Sequence, residues 1–75
     1  MPSLPNLSGR DVVRVFARGG WQMARQRGSH MILIKEGHMA TLSVPDHREV
    51  AKGTLRGLIR SSGLTVEAFV ALADK

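Results

Sequence analysis

The sequence contains no cysteine and no tyrosine, and its aromatic residues are one tryptophan and two phenylalanines. Without cysteine the chain has no disulfide bonds, no thiolate metal ligands and no thiol nucleophile. No hydrophobic run approaches the roughly 20 residues that a membrane-spanning helix requires. Residues 1–7 lack both the basic start and the long apolar run of a signal peptide. We therefore expect a soluble, cytoplasmic protein that does not associate with a membrane.

Acidic residues are also scarce, with six aspartates and glutamates against eleven lysines and arginines and a net charge of +5. Eight of these eleven cations are arginines, whose planar guanidinium binds phosphate through two parallel hydrogen bonds. A chain of 75 residues has room for one domain, 1–75, with a single hydrophobic core. This excess of positive charge on one small domain favours a polyanionic partner, and a solvated basic surface is the alternative.

Helical and extended patterns follow one another along the chain. The predicted elements are, in order, a helix between Ser8 and Gly19, strands at 21–26, 30–35 and 39–44, a helix at 52–62, and a short helix that begins after Thr65. Ser8 and Thr65 are typical N-cap residues, and glycines at 19, 20 and 63 favour helix ends. Short turns are predicted at Gly28-Ser29 and at Glu36-Gly37, where a tight hairpin is expected.

This α-β-β-β-α order, with an additional short C-terminal helix, predicts an α+β sandwich whose helices pack on one face of an antiparallel meander. The same order occurs in double-stranded-RNA-binding domains. Alternation in the first strand predicts Trp21 and Met23 on one face and Gln22 and Gln26 on the other. Trp21 is predicted to pack in the core, with base stacking as the alternative.

Few side chains could carry out catalysis. No pair of acidic residues has the spacing of a two-metal site, and no glycine-rich loop with a P-loop lysine is present, so neither a metal nor a cofactor is expected. The histidines are His30, His38 and His47. His38 is expected to be a solvated surface residue, and His47 is expected to serve in capping or in hydrogen bonding within its loop.

His30 is the candidate catalytic residue. It opens the second predicted strand directly after Gly28-Ser29, where glycine lets a substrate backbone approach closely. Imidazole exchanges a proton near neutral pH, and RNA supplies its own nucleophile, the 2′-hydroxyl. A histidine that removes the proton of this hydroxyl would therefore cleave RNA by general acid–base catalysis without a metal. A structural histidine at the start of a strand is the alternative.

Candidate RNA-binding residues lie next to His30 and again at the start of the second long helix. Arg25, Arg27 and Lys52 are candidates for stabilising the charge that develops on phosphorus, and Ser29 lies between Arg27 and His30. Lys52 and Arg56, together with the free amide groups of a helix N-terminus, form a candidate phosphate site. The alternative is an ordinary helix start with basic surface residues.

Several short segments together carry a family resemblance. They are Gly19-Gly20-Trp21, Arg27-Gly28-Ser29-His30, Val44-Pro45-Asp46-His47, Lys52-Gly53-Thr54-Leu55-Arg56-Gly57-Leu58-Ile59 and Ser62-Gly63-Leu64-Thr65. In this order, from about Leu7 to Leu72, the chain resembles the HicA family. The resemblance implies a fold like that of double-stranded-RNA-binding domains and a toxin that cleaves or inactivates messenger RNA and so arrests translation, with His30 as the catalytic residue. It also implies a HicB antitoxin that binds the toxin and occludes its active site.

The sequence departs from the family pattern at Met31, where many members have a second histidine or an aromatic residue. We expect the toxin of a HicAB system, a metal-independent endoribonuclease that forms a small hetero-oligomer with a HicB-like antitoxin. The alternatives are a non-catalytic RNA-binding module of the same fold and a protein–protein adaptor with a basic face. The nuclease and the RNA-binding module both predict salt-sensitive RNA binding. Only the nuclease predicts that His30→Ala abolishes cleavage.

Overall fold

The computed structural model describes residues 3–75, which form three helices and one three-stranded antiparallel sheet. The elements are α1 (Gly9–Arg18), β1 (Gln22–Arg27), β2 (His30–Ile34), β3 (Leu42–Pro45), α2 (Lys52–Ser62) and α3 (Val66–Ala73). The predicted domain, 1–75, and the segment 1–7 both include residues 1 and 2, which lie outside the described residues. The predicted α+β class and the order of the elements are confirmed.

Side-chain and backbone caps fix the helix ends where the sequence predicts them. The Ser8 hydroxyl accepts a hydrogen bond from the Asp11 amide at 3.1 Å, and the Thr65 hydroxyl accepts one from the Ala68 amide at 3.0 Å. Each bond satisfies one of the amide groups that a helix start leaves without an intrahelical partner. Gly63 follows α2 in the left-handed region, with φ +82°. The starts of α1 and α3 and the end of α2 are therefore set by local chemistry.

The sheet is a meander in the order β1-β2-β3, and the helices pack on one of its faces. Met31 and Leu33 of β2, with Leu42 and Val44 of β3, are buried on that face. The core residues that the helices and the segments between elements add are Leu4, Val12, Val15, Phe16, Trp21, Val50, Leu55, Leu58, Ile59 and Phe69. Burial of Trp21 confirms that it packs in the core. Among residues 3–75, no helix combines the length and apolar character needed to cross a membrane.

The connection between β2 and β3 is longer than the predicted tight hairpin. A turn does occur at Glu36-Gly37, but β3 begins at Leu42 rather than at residue 39. Met39 is fully exposed at 101% of its reference area, so the alternating pattern there reflects no buried face. Pairing with β2 starts only where Leu42 meets Leu33, because these two side chains are both buried in the core.

His38 lies in this longer connection and is not the solvated residue that the sequence predicts. Its ring lies edge-on to Trp21, with centroids 4.9 Å apart, and its Nε2 donates to the Ser61 carbonyl at 3.1 Å. The connection therefore folds back over the core and binds the last turn of α2.

The regular alternation predicted for β1 is also wrong beyond Met23. Met23 pairs with Leu33 and Arg25 pairs with the next residue of β2, Ile32, so Ala24 is an extra residue that has no partner. Such a β-bulge reverses the faces of all residues on one side of it. Gln26 consequently lies on the helix-covered face, opposite Met31, rather than on the same face as Gln22.

Candidate functional site

The face of the sheet opposite the helices is uncovered by the described residues, and we call it the open face. Because side chains alternate along a strand, burial of Met31 and Leu33 puts His30, Ile32 and Ile34 on this face. Directly paired residues of neighbouring strands point to the same side of a sheet. The members of the open face are Gln22, Arg25, Arg27, His30, Ile32, Ile34 and Ser43.

His30 is exposed at the start of β2, the central strand of the sheet. It pairs directly with Arg27 of β1 across the turn at 28–29. Gly28 adopts φ +59° in this turn, a left-handed conformation that glycine adopts without the steric cost that a Cβ imposes. The imidazole is therefore presented outside the hydrophobic core, beside a guanidinium.

The bulge at Ala24 is what places two arginines on the open face. Arg25 pairs with Ile32, and Arg27 pairs with His30, so both side chains lie on the side of the imidazole. A regular strand from Met23 onward would have placed both arginines on the face that Met23 shares with the helices. Arg25 and Arg27 are predicted site residues that the structure brings together with His30.

A shallow depression lies around the imidazole, open to solvent. Its lining residues are Arg27, His30, Ile32 and Ser43, which come from all three strands. The Ser43 hydroxyl lies 3.2 Å from His30 Nδ1, within hydrogen-bond distance. The depression thus combines an imidazole with one nitrogen already engaged, a guanidinium, and the apolar surface of Ile32.

Asp46 holds the end of the sheet on which His30 lies. Its amide donates to the Ser29 carbonyl at 2.7 Å, which ties the segment after β3 to the β1–β2 turn. Its carboxylate accepts from Arg10 Nε at 3.4 Å and from Gln26 Nε2 at 3.5 Å. Ser29, a predicted RNA-binding residue, is exposed in the β1–β2 turn, and its carbonyl oxygen accepts this hydrogen bond from Asp46. Asp46 therefore positions the hairpin without pairing with an arginine of the open face.

Lys52 and Arg56 lie on α2 and do not line the depression around His30. Lys52 Nζ donates to the Asn6 side-chain oxygen. Arg56 is exposed and lines a separate groove between α2 and α3, together with Arg60 and the apolar side chains of Ile59, Leu64 and Val66. The N-cap residue of α2, Ala51, supplies no side-chain hydrogen bond, and the first turn carries no acid. These features leave the predicted phosphate site at the helix start open but separate from the imidazole.

The open face keeps its positive charge because its arginines lack acidic partners. Within residues 3–75 the ion pairs are Arg10–Asp46 and Arg14–Asp11. Neither Arg25 nor Arg27 is within ion-pair distance of a described carboxylate. In the same part of the chain, no group of three or more histidine, aspartate or glutamate side chains could hold a metal ion. The chemistry that the depression offers is proton transfer by imidazole beside fixed positive charge.

Sequence reasoning placed Ser43 on the polar side of its strand but assigned it no part in the site. The alternation Leu42, Ser43, Val44 predicts its direction correctly. Its contact with His30 depends on the register between β2 and β3, in which Ser43 pairs with Ile32. That register could not be read from the sequence, because it depends on the length of the connection between these strands.

Comparisons with known proteins identify the family of the chain and support its fold. A family model described as the HicA toxin of bacterial toxin–antitoxin matches residues 9–64, which include every predicted site residue and Ser43. A chain from a toxin–antitoxin complex of Streptococcus pneumoniae has a similar structure, with a TM-score of 0.69 and 29% sequence identity. The similarity covers 77% of the present chain and 98% of that chain. No curated protein matches the chain.

Proposed function

The chain belongs to the HicA toxin family of bacterial toxin–antitoxin systems, and we propose that it is a metal-independent endoribonuclease that cleaves messenger RNA with His30 as its catalytic residue. The observation that carries this proposal is the position of His30. Its imidazole is exposed on the open face, outside the core, next to arginines that have no carboxylate partner among residues 3–75. A polyanion that lies on this face would bring its phosphates against the imidazole.

The reaction needs no nucleophile from the protein. His30 Nε2 accepts the proton of a ribose 2′-hydroxyl, and the 2′-oxygen forms a bond to the adjacent phosphorus. The bond between phosphorus and the 5′-oxygen of the next nucleotide breaks, and the imidazolium returns its proton to that oxygen. The products are a 2′,3′-cyclic phosphate and a free 5′-hydroxyl. A single imidazole can serve both steps because it is the base in the first and the acid in the second.

Positive charge near the phosphorus stabilises the pentacovalent transition state. Arg27, paired with His30, is the nearest candidate, and Arg25 extends the positive charge along β1. Ser29, in the turn between Arg27 and His30, is a candidate for a phosphate or ribose contact through its hydroxyl. Lys52 and Arg56 would bind phosphates farther along the RNA, since they lie on α2 and not in the depression.

A HicB-like antitoxin is the proposed protein partner, in a small hetero-oligomer in the cytoplasm. Membership of a toxin family supports this partner, as does the structural similarity to a chain from a toxin–antitoxin complex. A partner that presents acidic groups to Arg25 and Arg27 would cover His30 at the same time, because the three residues share one face. Neutralisation and occlusion would then be one binding event.

The test compares His30→Ala with His47→Ala, since His47 is also exposed but lies in the loop after β3. Purified proteins are incubated with an unstructured RNA oligonucleotide and with the same sequence as DNA, in the presence of a chelator. We expect the unsubstituted protein and His47→Ala to cleave RNA only and to leave 2′,3′-cyclic phosphate ends. We expect His30→Ala to bind RNA without cleaving it.

Induced expression of the same variants extends the test to cells. Growth arrest and transcript loss should follow expression of His47→Ala and be absent with His30→Ala. The alternative function, a non-catalytic RNA-binding module, predicts salt-sensitive RNA binding by every variant and cleavage by none. Cleavage that survives in His30→Ala would reject the proposed catalytic residue.

A further inference from the structure

Ser43, on the edge strand β3, is within hydrogen-bond distance of the His30 imidazole. We propose that Ser43 is a positioning residue for His30: its hydroxyl oxygen accepts the hydrogen of Nδ1, which leaves Nε2 unprotonated and free to take the 2′-hydroxyl proton. This inference rests on the proposed function of His30. It concerns the state and direction of the ring, since Ser43 itself need not touch the RNA.

Strand geometry explains why Ser43 and not the directly paired residue makes the contact. His30 pairs with Pro45, which offers no polar side chain. Ser43 pairs with Ile32, two positions from His30 on the same face, and is therefore a diagonal neighbour of the imidazole. Diagonal neighbours on one face are within reach of long and aromatic side chains. The observed separation of 3.2 Å between Ser43 Oγ and His30 Nδ1 fits this arrangement.

The other groups that line the depression cannot accept the Nδ1 hydrogen. A guanidinium has donors and no acceptor, so Arg27 cannot take this role. Ile32 is apolar. Asp46, the nearest carboxylate along the chain beyond Pro45, is engaged by Arg10 and Gln26. Among the side chains of the depression, Ser43 is therefore the one that can accept this hydrogen.

A hydroxyl can either donate to a ring nitrogen or accept from it, and the two arrangements have opposite consequences for catalysis. If Ser43 donated to Nδ1, the neutral ring would carry its hydrogen on Nε2 and could not act there as a base. If Ser43 accepts from Nδ1, the lone pair is on Nε2. The hydrogen bond made by one ring nitrogen thus determines what the other can do.

Only the accepting arrangement persists through the reaction. Once Nε2 has taken the proton, both ring nitrogens carry hydrogen, and the imidazolium can only donate. A Ser43 oxygen that already accepts from Nδ1 keeps the same bond, now charge-assisted and stronger. The ring therefore need not rotate, and the hydroxyl need not reorient, between the base and acid steps.

Threonine and valine have nearly equal shapes, so placing each at position 43 separates the effect of the hydroxyl group from the effect of side-chain packing. Ser43→Thr keeps the oxygen, Ser43→Val removes it, and both are β-branched residues that suit a strand. Thr41→Val is the matched control, because Thr41 is exposed just before β3, and the described hydrogen bond to His30 comes from Ser43 instead. All variants are made in the full chain, and their unfolding midpoints are compared.

The first readout is the rate of RNA oligonucleotide cleavage, measured at saturating substrate to give kcat and at limiting substrate to give kcat/KM. For Ser43→Val we expect kcat to fall by roughly tenfold, as for loss of a hydrogen bond to a charged group, with KM changed by less than about twofold. Ser43→Thr should retain at least about half of the activity, and Thr41→Val should match the unsubstituted protein. Equal kcat values for Ser43→Thr and Ser43→Val would overturn the proposal.

The second readout is the ¹⁵N chemical shifts of the His30 ring, which distinguish a protonated from an unprotonated nitrogen. In the neutral ring we expect hydrogen on Nδ1 in the unsubstituted protein and in Ser43→Thr, and a shift toward Nε2 in Ser43→Val. A ring that carries its hydrogen mainly on Nε2 in the unsubstituted protein would overturn the proposal. A purely structural role for Ser43 would change stability without changing this distribution.

The same experiments distinguish failure of this inference from failure of the proposed function. If His30→Ala abolishes cleavage and Ser43→Val does not reduce it, His30 is catalytic and Ser43 is not its positioning residue. If His30→Ala cleaves RNA at the normal rate, the proposed function of His30 fails, and the positioning role fails with it.

Discussion

Arg27 and His30 are directly opposed residues of β1 and β2, on the open face of the sheet. Their opposition depends on a two-residue turn at Gly28-Ser29 and on a bulge that sends the arginine to the uncovered side of the sheet. Imidazole and guanidinium are thus fixed on the strongly paired β1–β2 hairpin rather than on a loose loop. A site built on regular elements holds its groups with less variation in position than a site on loops.

Replacement of Arg27 by alanine should reduce both the rate of RNA cleavage and the salt dependence of RNA binding. We expect kcat to fall by roughly tenfold, less than the 10²–10³-fold loss typical of an enclosed oxyanion-hole donor, because the depression is open to water. The plot of log K against log salt has a negative slope, and this slope should become shallower by about 0.7 for single-stranded RNA, as expected for the loss of one phosphate contact.

Arg56→Ala provides the contrast within the proposed RNA-binding set, and Arg48→Ala, an exposed arginine in the loop before α2, is the control. Because Arg56 lies in the groove between α2 and α3, its loss should weaken binding and leave kcat unchanged. Fluorescence anisotropy at several salt concentrations measures the first effect and single-turnover cleavage the second. A loss of kcat in Arg56→Ala equal to that in Arg27→Ala would contradict this division of roles.

Much of the fold could be predicted because its signals are local. Ser8 and Thr65 are N-cap residues with one dominant role, and Gly63 supplies a left-handed backbone at the end of α2. The short apolar run 31–34 between two turn signals favours a strand, and the structure buries its Met31 and Leu33 while Ile34 stays exposed. His30 could be placed at the start of this strand by the same reasoning. These elements follow from chemistry within a few residues.

What could not be predicted depends on contacts between distant residues. The bulge at Ala24 has no signature in the sequence, because alanine is neither a turn residue nor a break in polarity, yet it decides the face of Arg25. The pairing of Ser43 with Ile32 depends on where β3 starts, and β3 starts at Leu42, which pairs with the buried Leu33. Register is determined by tertiary packing, so a periodic pattern predicts a strand but not its neighbours.

The contact between α1 and the end of β3 makes Gly9 sensitive to any side chain. A Cβ at Gly9 would lie 2.0 Å from the Pro45 carbonyl oxygen, and the Gly9 amide donates to the His47 carbonyl at 2.9 Å. We expect Gly9→Ala to destabilise the protein by about 1–3 kcal/mol, as is typical of overpacking. Chemical denaturation measures the change.

Gly57→Ala is the matched substitution for this prediction. Gly57 is exposed on α2, and apart from its chain neighbours and the backbone of its own helix, no described heavy atom lies within 4 Å of the position its Cβ would take. Alanine in a helix interior should therefore stabilise the protein by about 0.5–1 kcal/mol. If both substitutions changed the free energy of unfolding by the same sign and amount, the close approach of Gly9 to Pro45 would not be a feature of the folded state.

His38 should contribute to stability and His47 should not. Replacement of His38 by alanine removes the edge-on contact with Trp21 and the hydrogen bond to the Ser61 carbonyl. We expect a loss of about 1–2 kcal/mol from these two interactions together. His47→Ala, which changes an exposed side chain, should stay within about 0.5 kcal/mol of the unsubstituted protein. Tryptophan fluorescence during denaturation reports both values, and an equal, negligible effect of the two substitutions would contradict the packing of His38.

The C-terminal helix should be required for folding although it lies outside the matched range of residues 9–64. Phe69 of α3 is completely buried and lies 5.1 Å from Phe16, measured between ring centroids. Arg18 Nη1 donates to the Leu72 carbonyl at 2.8 Å, which satisfies a free carbonyl at the end of α3 and links α1 to α3.

We expect Phe69→Ala to cost about 3–5 kcal/mol, a large part of the stability of so small a domain. Ala71→Ser, at an exposed position of the same helix, is the control and should have an effect within about 0.5 kcal/mol. Circular dichroism during thermal unfolding compares the two. An unchanged midpoint for Phe69→Ala would mean that α1 and the sheet form a stable core without α3, and RNA cleavage would then have to survive removal of residues 65–75.

Because Phe16 also contacts Trp21, whose ring is 6.3 Å away, we instead expect the loss of Phe69 to loosen the packing beneath β1 and to lower cleavage together with stability.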